Sequence, residues 1–215
     1  MTTALGNGAF APRVRDGARR SRPSSEADPF RGRLLDGLAA SITERGYRAT
    51  TVADIVRQAR TSKRTFYDHF ASKEECFIDL LRADMDDMIA SIRGAVDPEA
   101  PPNEQIRSAV EAYVDHIAAR RAINLSRIRE APGLGDVARR LHRLAMAQLI
   151  DMLVALSSSP GFERAGLRPV SEELGLVLLG GLQELTASYV EDGRDVRGIF
   201  EPAVTAGTAL FGQRD

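Results

Sequence analysis

The stretch from Thr51 to Phe70, TVADIVRQARTSKRTFYDHF, constrains this chain more than any other, because it holds two short helical patterns separated by a very tight turn. Val52, Ile55, Val56 and Ala59 recur at helical spacing, and Thr51 with Asp54 three residues on makes a capping-box start. The second pattern opens at Ser62, a residue type favoured at N-caps. It sets Phe66 and Phe70 on one face at i, i+4 and leaves Lys63, Arg64, Tyr67 and His69 elsewhere. One face is aromatic and suited to a core; the other is basic. Such a helix pair lets its second helix enter a DNA major groove, with the N-terminal residues reaching base edges. Lys63 and Arg64 suit guanine O6 and N7, Thr61 and Thr65 suit thymine methyls or phosphate, and Tyr67 and His69 suit phosphate oxygens. An amphipathic hairpin with a solvated basic face has the same pattern, so the flanking residues decide.

Those flanks carry a resemblance. Gly46-Tyr47, Thr50-Thr51-Val52, Asp54-Ile55 and the run Ser62 to Phe70, followed by Ser72-Lys73-Glu74, resemble the DNA-binding domain of TetR-type transcriptional regulators without gaps from about Phe30 to Phe77. The resemblance implies an all-α chain of about nine helices: a three-helix N-terminal helix-turn-helix domain, then a larger helical domain for ligand binding and dimerisation. It also implies a homodimeric repressor on a palindromic double-stranded DNA operator, released when a small molecule tilts the fourth helix. A ligand-independent activator or scaffold of the same fold is the alternative. Carried over to this chain, Thr51 meets phosphate at a helix cap, Thr61, Ser62, Lys63, Arg64 and Thr65 meet bases or nearby phosphates, and Tyr67, His69 and Lys73 anchor the DNA backbone. One departure stands in the turn, where Ala59-Arg60-Thr61-Ser62 replaces the usual Ala-Gly-Val-Ser. A non-glycine residue there costs roughly 1 kcal/mol if φ is positive. Arg60 is expected to offset that by contacting phosphate.

Charge is divided along the chain: residues 1–70 hold 13 Lys and Arg against 7 Asp and Glu, whereas residues 71–215 hold 16 against 23. The basic half is the half with the DNA-reading pattern, as phosphate binding requires. A single cysteine, Cys76, excludes an intramolecular disulfide framework and suits a reducing cytoplasm. There is no export signal, and the longest apolar run, Leu176 to Leu182, is too short to span a bilayer, so a cytoplasmic chain without membrane contact is expected. Nothing points to an enzyme. His69, His116 and His142 lack metal-ligand spacing, and Gly133-Leu-Gly-Asp-Val-Ala matches a dinucleotide fingerprint only by chance, since no strand precedes it. No catalytic residue, metal or cofactor is expected.

Residues 1–27, rich in Gly, Ala, Ser, Pro and Arg, read as a disordered tail whose arginines form a candidate basic arm. The DNA-binding domain is placed at 28–73, opened by Asp28-Pro29 and with Gly46 as the stop of its first helix. Residues 74–215 form the second domain, with helices at about Ser72–Val96, Asn103–Ala119, Ala122–Ala131, Asp136–Ser157, Ser171–Val190 and Asp195–Phe211 and a loop from Ser158 to Val170. The last two, about 171–190 and 195–211, are apolar on more than one face, and the resemblance makes them the homodimer interface. The effector, largely apolar, is expected among the fourth to seventh helices. Candidate contacts are Phe77, Leu81, Met85 and Met88 on the fourth, Tyr113 and His116 on the fifth, Asn124, Arg127 and Ile128 on the sixth, and Leu149 and Met152 on the seventh.

Overall fold

The first helix, α1 (Pro29–Ala49), starts where Asp28 accepts the amide of Phe30 at 3.0 Å and Pro29 supplies a first-turn residue that needs no partner for its nitrogen. Gly46, at φ 77°, breaks the helix one turn before its nominal end, as expected of a C-terminal stop. This computed structural model describes residues 28–211, so the expected tail at 1–27 lies outside the described residues. Behind α1 come α2 (Val52–Gln58), α3 (Lys63–His69), α4 (Lys73–Ala95), α5 (Pro102–Ala119), α6 (Arg121–Arg129) and α7 (Asp136–Ser157). The chain then adds α8 (Pro160–Arg164), α9 (Glu172–Glu191) and α10 (Phe200–Phe211), with 3-10 turns at Ala131–Leu134 and Val196–Ile199. Among the described residues there is no strand, in agreement with the all-α expectation.

Two differences from the expected helices have physical causes. The loop between α7 and α9 contains the five-residue α8, which forms because it docks on the corner between α4 and α5. The Gly161 amide donates to the Pro98 carbonyl at 3.0 Å, Ser159 Oγ donates to Gln105 Oε1 at 2.9 Å, and a Cβ on Gly161 would lie 2.0 Å from the Ala100 carbonyl oxygen. The final helix is split, because Asp195 accepts from the Arg197 amide at 3.0 Å and winds the first turn as a 3-10 turn before Phe200.

Two main apolar cores result. Leu34, Leu38, Ile55, Phe66, Phe70 and Phe77, all at or near zero exposure, lock α1, α2, α3 and the start of α4 together. The approach of α1 to α2 is close enough that a Cβ on Gly37 would lie 2.6 Å from the Ile55 carbonyl oxygen. The second core gathers Met88 and Ile92 of α4, Ile117 of α5, Met152 of α7 and Ile199 near the C-terminus. α4 therefore runs through both cores. Its Cys76 to Leu81 turns belong to the first and its Met85 to Ile92 turns to the second.

Candidate nucleic-acid interface and ligand cavities

The turn between α2 and α3 is built by hydrogen bonds that end one helix and start the next. The Thr61 amide donates to the Val56 carbonyl at 2.9 Å and the Arg60 amide to the Arg57 carbonyl at 3.2 Å, a Schellman arrangement with Arg60 at its left-handed position, φ 49°. Arg60 is the single non-glycine residue with positive φ among the described residues. α2 is opened by a complete capping box: Thr51 Oγ1 donates to Asp54 Oδ2 at 2.7 Å and accepts from the Asp54 amide at 3.3 Å, and the Thr51 amide donates to the same carboxylate at 3.0 Å. Arg45 and Arg57 sit 3.1 and 3.2 Å from the other carboxylate oxygen. The Thr51 hydroxyl first, its amide next, and these guanidiniums hold Asp54 below the usual carboxylate range. On α3, Ser62 Oγ accepts from the Thr65 amide at 3.1 Å and contacts Thr65 Oγ1 at 3.0 Å.

Phe66 and Phe70 anchor α3 from below, their ring centroids 5.7 Å apart. The opposite side exposes Lys63, Arg64 and Tyr67, the last at 58%. Arg60, Lys63 and Arg64 make no ion pair with any described residue, so three unneutralised cations cluster around the first turn of an exposed helix. That arrangement suits an anionic partner. The expected DNA contacts thus fall into two groups. Arg60, Thr61, Lys63, Arg64, Thr65 and Tyr67 gather at the turn and along α3, while Thr51 and Ser62 lie close by with their hydroxyls engaged in caps. His69 and Lys73 turn inward: His69 Nδ1 lies 3.3 Å from Asp28 Oδ2 with its ring stacked on Phe30. Lys73 Nζ donates to the carbonyls of Tyr47 and Thr50 at 3.0 and 2.9 Å and lies 4.2 Å from the Tyr47 ring centroid. Two of the three ammonium donors of Lys73 therefore tie the end of α1 to the start of α4.

A family model, that of the bacterial regulatory proteins of the tetR family, matches residues 34–80. Over its helix-turn-helix and the start of α4 the chain is thus similar to the tetR-family regulators. The repressor KstR2 of Mycobacterium tuberculosis is 41% identical over 96 residues, 45% of this chain and 48% of that protein. Its solved structure, described as a ketosteroid transcriptional regulator, superposes with a TM-score of 0.59 at 27% identity, covering 85% of this chain and 95% of that one. The activator FasR of Mycolicibacterium smegmatis is 33% identical over 90 residues, 42% of this chain and 41% of that protein. The chain thus spans about half or less of the curated relatives it matches in sequence. FadR of Bacillus subtilis, solved in complex with stearoyl-CoA, shares the fold with a TM-score of 0.71 at 16% identity, covering 85% of this chain and 99% of that one.

Among the helices from α4 onward the expected pocket residues divide between two cavities. Met88, Tyr113, Leu149 and Met152 line an almost wholly apolar cavity of about 80 Å³. Sequence reasoning missed Phe162 and Phe211, whose rings meet at 6.0 Å and close its far side. The signal for Phe162 was Ser159-Pro160, a cap followed by proline inside the supposed loop. Leu81, Met85 and Arg127 line a second cavity of about 30 Å³. Phe77, His116, Asn124 and Ile128 line neither. Phe77 stacks on Tyr47 at 4.1 Å in the first core, His116 Nε2 lies 3.3 Å from Asp84 Oδ1, Asn124 Oδ1 accepts from Arg127 at 3.1 Å, and Ile128 is half-buried on α6. Among the described residues, no three His, Cys, Asp or Glu side chains are grouped to hold a metal ion, and no helix is long and apolar enough to cross a membrane.

The outer face of α9 is apolar and uncovered among the described residues. Leu176 and Val177 are 52% and 66% exposed, and one turn on, Gly180 and Gly181 have nothing within 4 Å of where a Cβ would stand. Arg129 of α6 forks onto Glu184 with two 2.8 Å bonds and reaches Glu191 at 2.7 Å, tying α6 to the C-terminal half of α9. Mutual hydrogen bonding raises the Arg129 pKa and lowers those of both glutamates.

Proposed function

We propose that the chain is a ligand-responsive transcriptional repressor in the cytoplasm, binding a palindromic operator as a homodimer and leaving it when a small, largely apolar molecule enters the larger domain. The observation that carries this reading is the unpaired cationic turn of Arg60, Lys63 and Arg64 on a helix-turn-helix whose following helix, α4, also lines the apolar cavity through Met88. The turn suits phosphate and base edges, and α4 gives the cavity a rigid connection to it. The uncovered Leu176, Val177, Gly180 and Gly181 face supports pairing through α9 and its neighbour α10, since a second copy removes that apolar surface from water and the glycines permit close helix approach. Two reading helices held roughly 34 Å apart match half-sites one helical turn apart. The names of KstR2 as a ketosteroid regulator and of FadR in complex with stearoyl-CoA support an apolar or acyl-bearing effector.

The test is binding of the purified full-length chain to DNA flanking its own gene, titrated against salt, with oligomeric state measured on the same sample. Tight, sequence-selective binding by a dimer supports the reading, and binding that is weak, monomeric and indifferent to sequence overturns it. A second reading, an activator or scaffold indifferent to ligands, draws on the relative FasR, which is named an activator. It predicts unchanged DNA affinity across a panel of sterols, fatty acids and their thioesters.

A further inference from the structure

Arg127 is buried to 8% exposure on α6, and no carboxylate among the described residues lies within salt-bridge distance of it. Its Nη2 donates to the neutral Asn124 Oδ1, and its Nε has no hydrogen-bond partner among the described residues. A buried guanidinium without a counter-charge is costly, and arginine does not escape the cost by losing its proton. Burial lowers the Arg127 pKa, opposed by Tyr113 and by the more distant Asp84 carboxylate, which is engaged with Arg120 at 3.1 Å. Partial desolvation and the nearby Arg127 lower the pKa of His142, so that neighbour adds little positive charge at neutral pH.

The guanidinium lines the smaller cavity, together with Gln183, His142 and apolar side chains. At about 30 Å³ it holds roughly two water positions, by the ~10–15 Å³ that each requires, which is the size of one carboxylate rather than of a whole ligand. The larger apolar cavity lies beside it on the same helices. α4 gives Met85 to the smaller and Met88 to the larger, α7 gives Ala145 and Leu149, and α9 gives Gln183 and Leu182. The two cavities are therefore about one helical turn apart, roughly 5 Å, and adaptable methionines stand on both sides of the division.

We infer that the two cavities form one site for an amphipathic organic acid, with the apolar body in the larger cavity and a free carboxylate paired with Arg127 in the smaller. This rests on the reading of the larger domain as a ligand-binding domain and specifies the chemistry it selects. The carboxylate supplies the counter-charge that Arg127 lacks and accepts from its Nε. An alcohol or ester of the same chain fills the larger cavity but leaves the guanidinium unpaired.

The experiment uses the full-length protein with decanoate and 1-decanol as probes, read by calorimetry and by thermal shift near pH 7.5. Decanoate is expected to bind about tenfold or more tightly than 1-decanol, the scale of a hydrogen bond to a charged group. Arg127→Met is expected to abolish that preference, keep the affinity for 1-decanol, and melt no lower than the parent, because it removes an unpaired buried charge. Ala138→Leu fills the smaller cavity while leaving Arg127 in place; it too is expected to abolish the preference, and it decides the matter should Arg127→Met not fold. Equal binding of the two probes by the parent, or a preference that survives both substitutions, overturns the inference. Operator binding followed in parallel separates the two proposals. An acid preference that depends on Arg127 without any release of DNA keeps the site and removes the ligand-responsive reading. Release by neutral apolar molecules that is unchanged in Arg127→Met does the reverse.

Discussion

Replacing Arg60 by glycine should move stability and DNA binding in opposite directions. Arg60 sits at φ 49° in the left-handed position of a Schellman turn whose two hydrogen bonds, Thr61 to Val56 and Arg60 to Arg57, are both backbone and so survive any side-chain change. A side chain there costs about 1–2 kcal/mol, whereas glycine pays only the extra entropy of its unfolded chain, about 0.5–1 kcal/mol. Arg60→Gly should therefore stabilise the protein by about 0.5–1 kcal/mol, raising the melting temperature by about 1–4 °C for a chain of this length. Arg60 is exposed and makes no ion pair with a described residue, so removing it should delete one phosphate contact and flatten the slope of log affinity against log salt by about 0.9. Thermal melts and fluorescence-anisotropy titrations from low to moderate salt read the two effects on one preparation. Arg60→Ala separates them, since it removes the charge and keeps the strain: the slope should flatten without any rise in melting temperature. A fall in melting temperature for Arg60→Gly would refute the strain argument, and an unchanged salt slope in both variants would refute the phosphate contact.

Lys63→Ala and Arg64→Ala should each alter which base is preferred at one operator position at a cost of about 1–3 kcal/mol, whereas Lys73→Ala, which cuts two bonds to the carbonyls of Tyr47 and Thr50, should lower stability and weaken all sequences alike. A selection experiment with randomised half-sites checks the first pair, and equal losses on every sequence from all three would contradict that division of roles. Gly37→Ala should destabilise by about 1–3 kcal/mol in urea unfolding, because the new methyl meets the Ile55 carbonyl at 2.6 Å; a neutral result would mean that α1 and α2 separate freely. Asp54 has a folded pKa below its unfolded value of about 3.9, so its contribution is complete above that pH and lost as pH falls through the lower folded value. The stability gap between the parent and Asp54→Asn should therefore hold from neutral pH to about pH 4 and narrow below it. A gap that persists undiminished at pH 3 would count against the capping carboxylate.

What could be read from the residues alone was what is local. Asp28, Thr51 with Asp54, Ser62 and Ser72 each cap a helix with a neighbour two or three residues away, and all four make that bond. α7 spans the same Asp136 to Ser157 that periodicity predicts. What escaped depends on partners distant in sequence. α8 forms because Pro98, Ala100 and Gln105 receive it, and nothing within Ser158–Val170 announces those neighbours. Lys73 and His69 are residue types that suit phosphate, but their actual partners are 26 and 41 positions earlier. Helical spacing likewise put Met85, Met88 and Arg127 on inner faces without saying that the interior holds two cavities, one of them charged.

The passage of α4 through both apolar cores limits how this chain can exchange parts with its kin. A chimera joined at residue 73 separates Cys76, Phe77, Leu80 and Leu81 from the α1 to α3 side chains they pack against, so a foreign reading head would meet a helix face shaped for another. A junction between Leu81 and Met85 leaves each core with its own turns of α4, though Ile123 and Ala131 beneath α1 still cross the seam. The heritable module of DNA recognition is therefore longer than the helix-turn-helix itself. It ends partway along α4, inside an unbroken helix where no loop or linker marks the boundary.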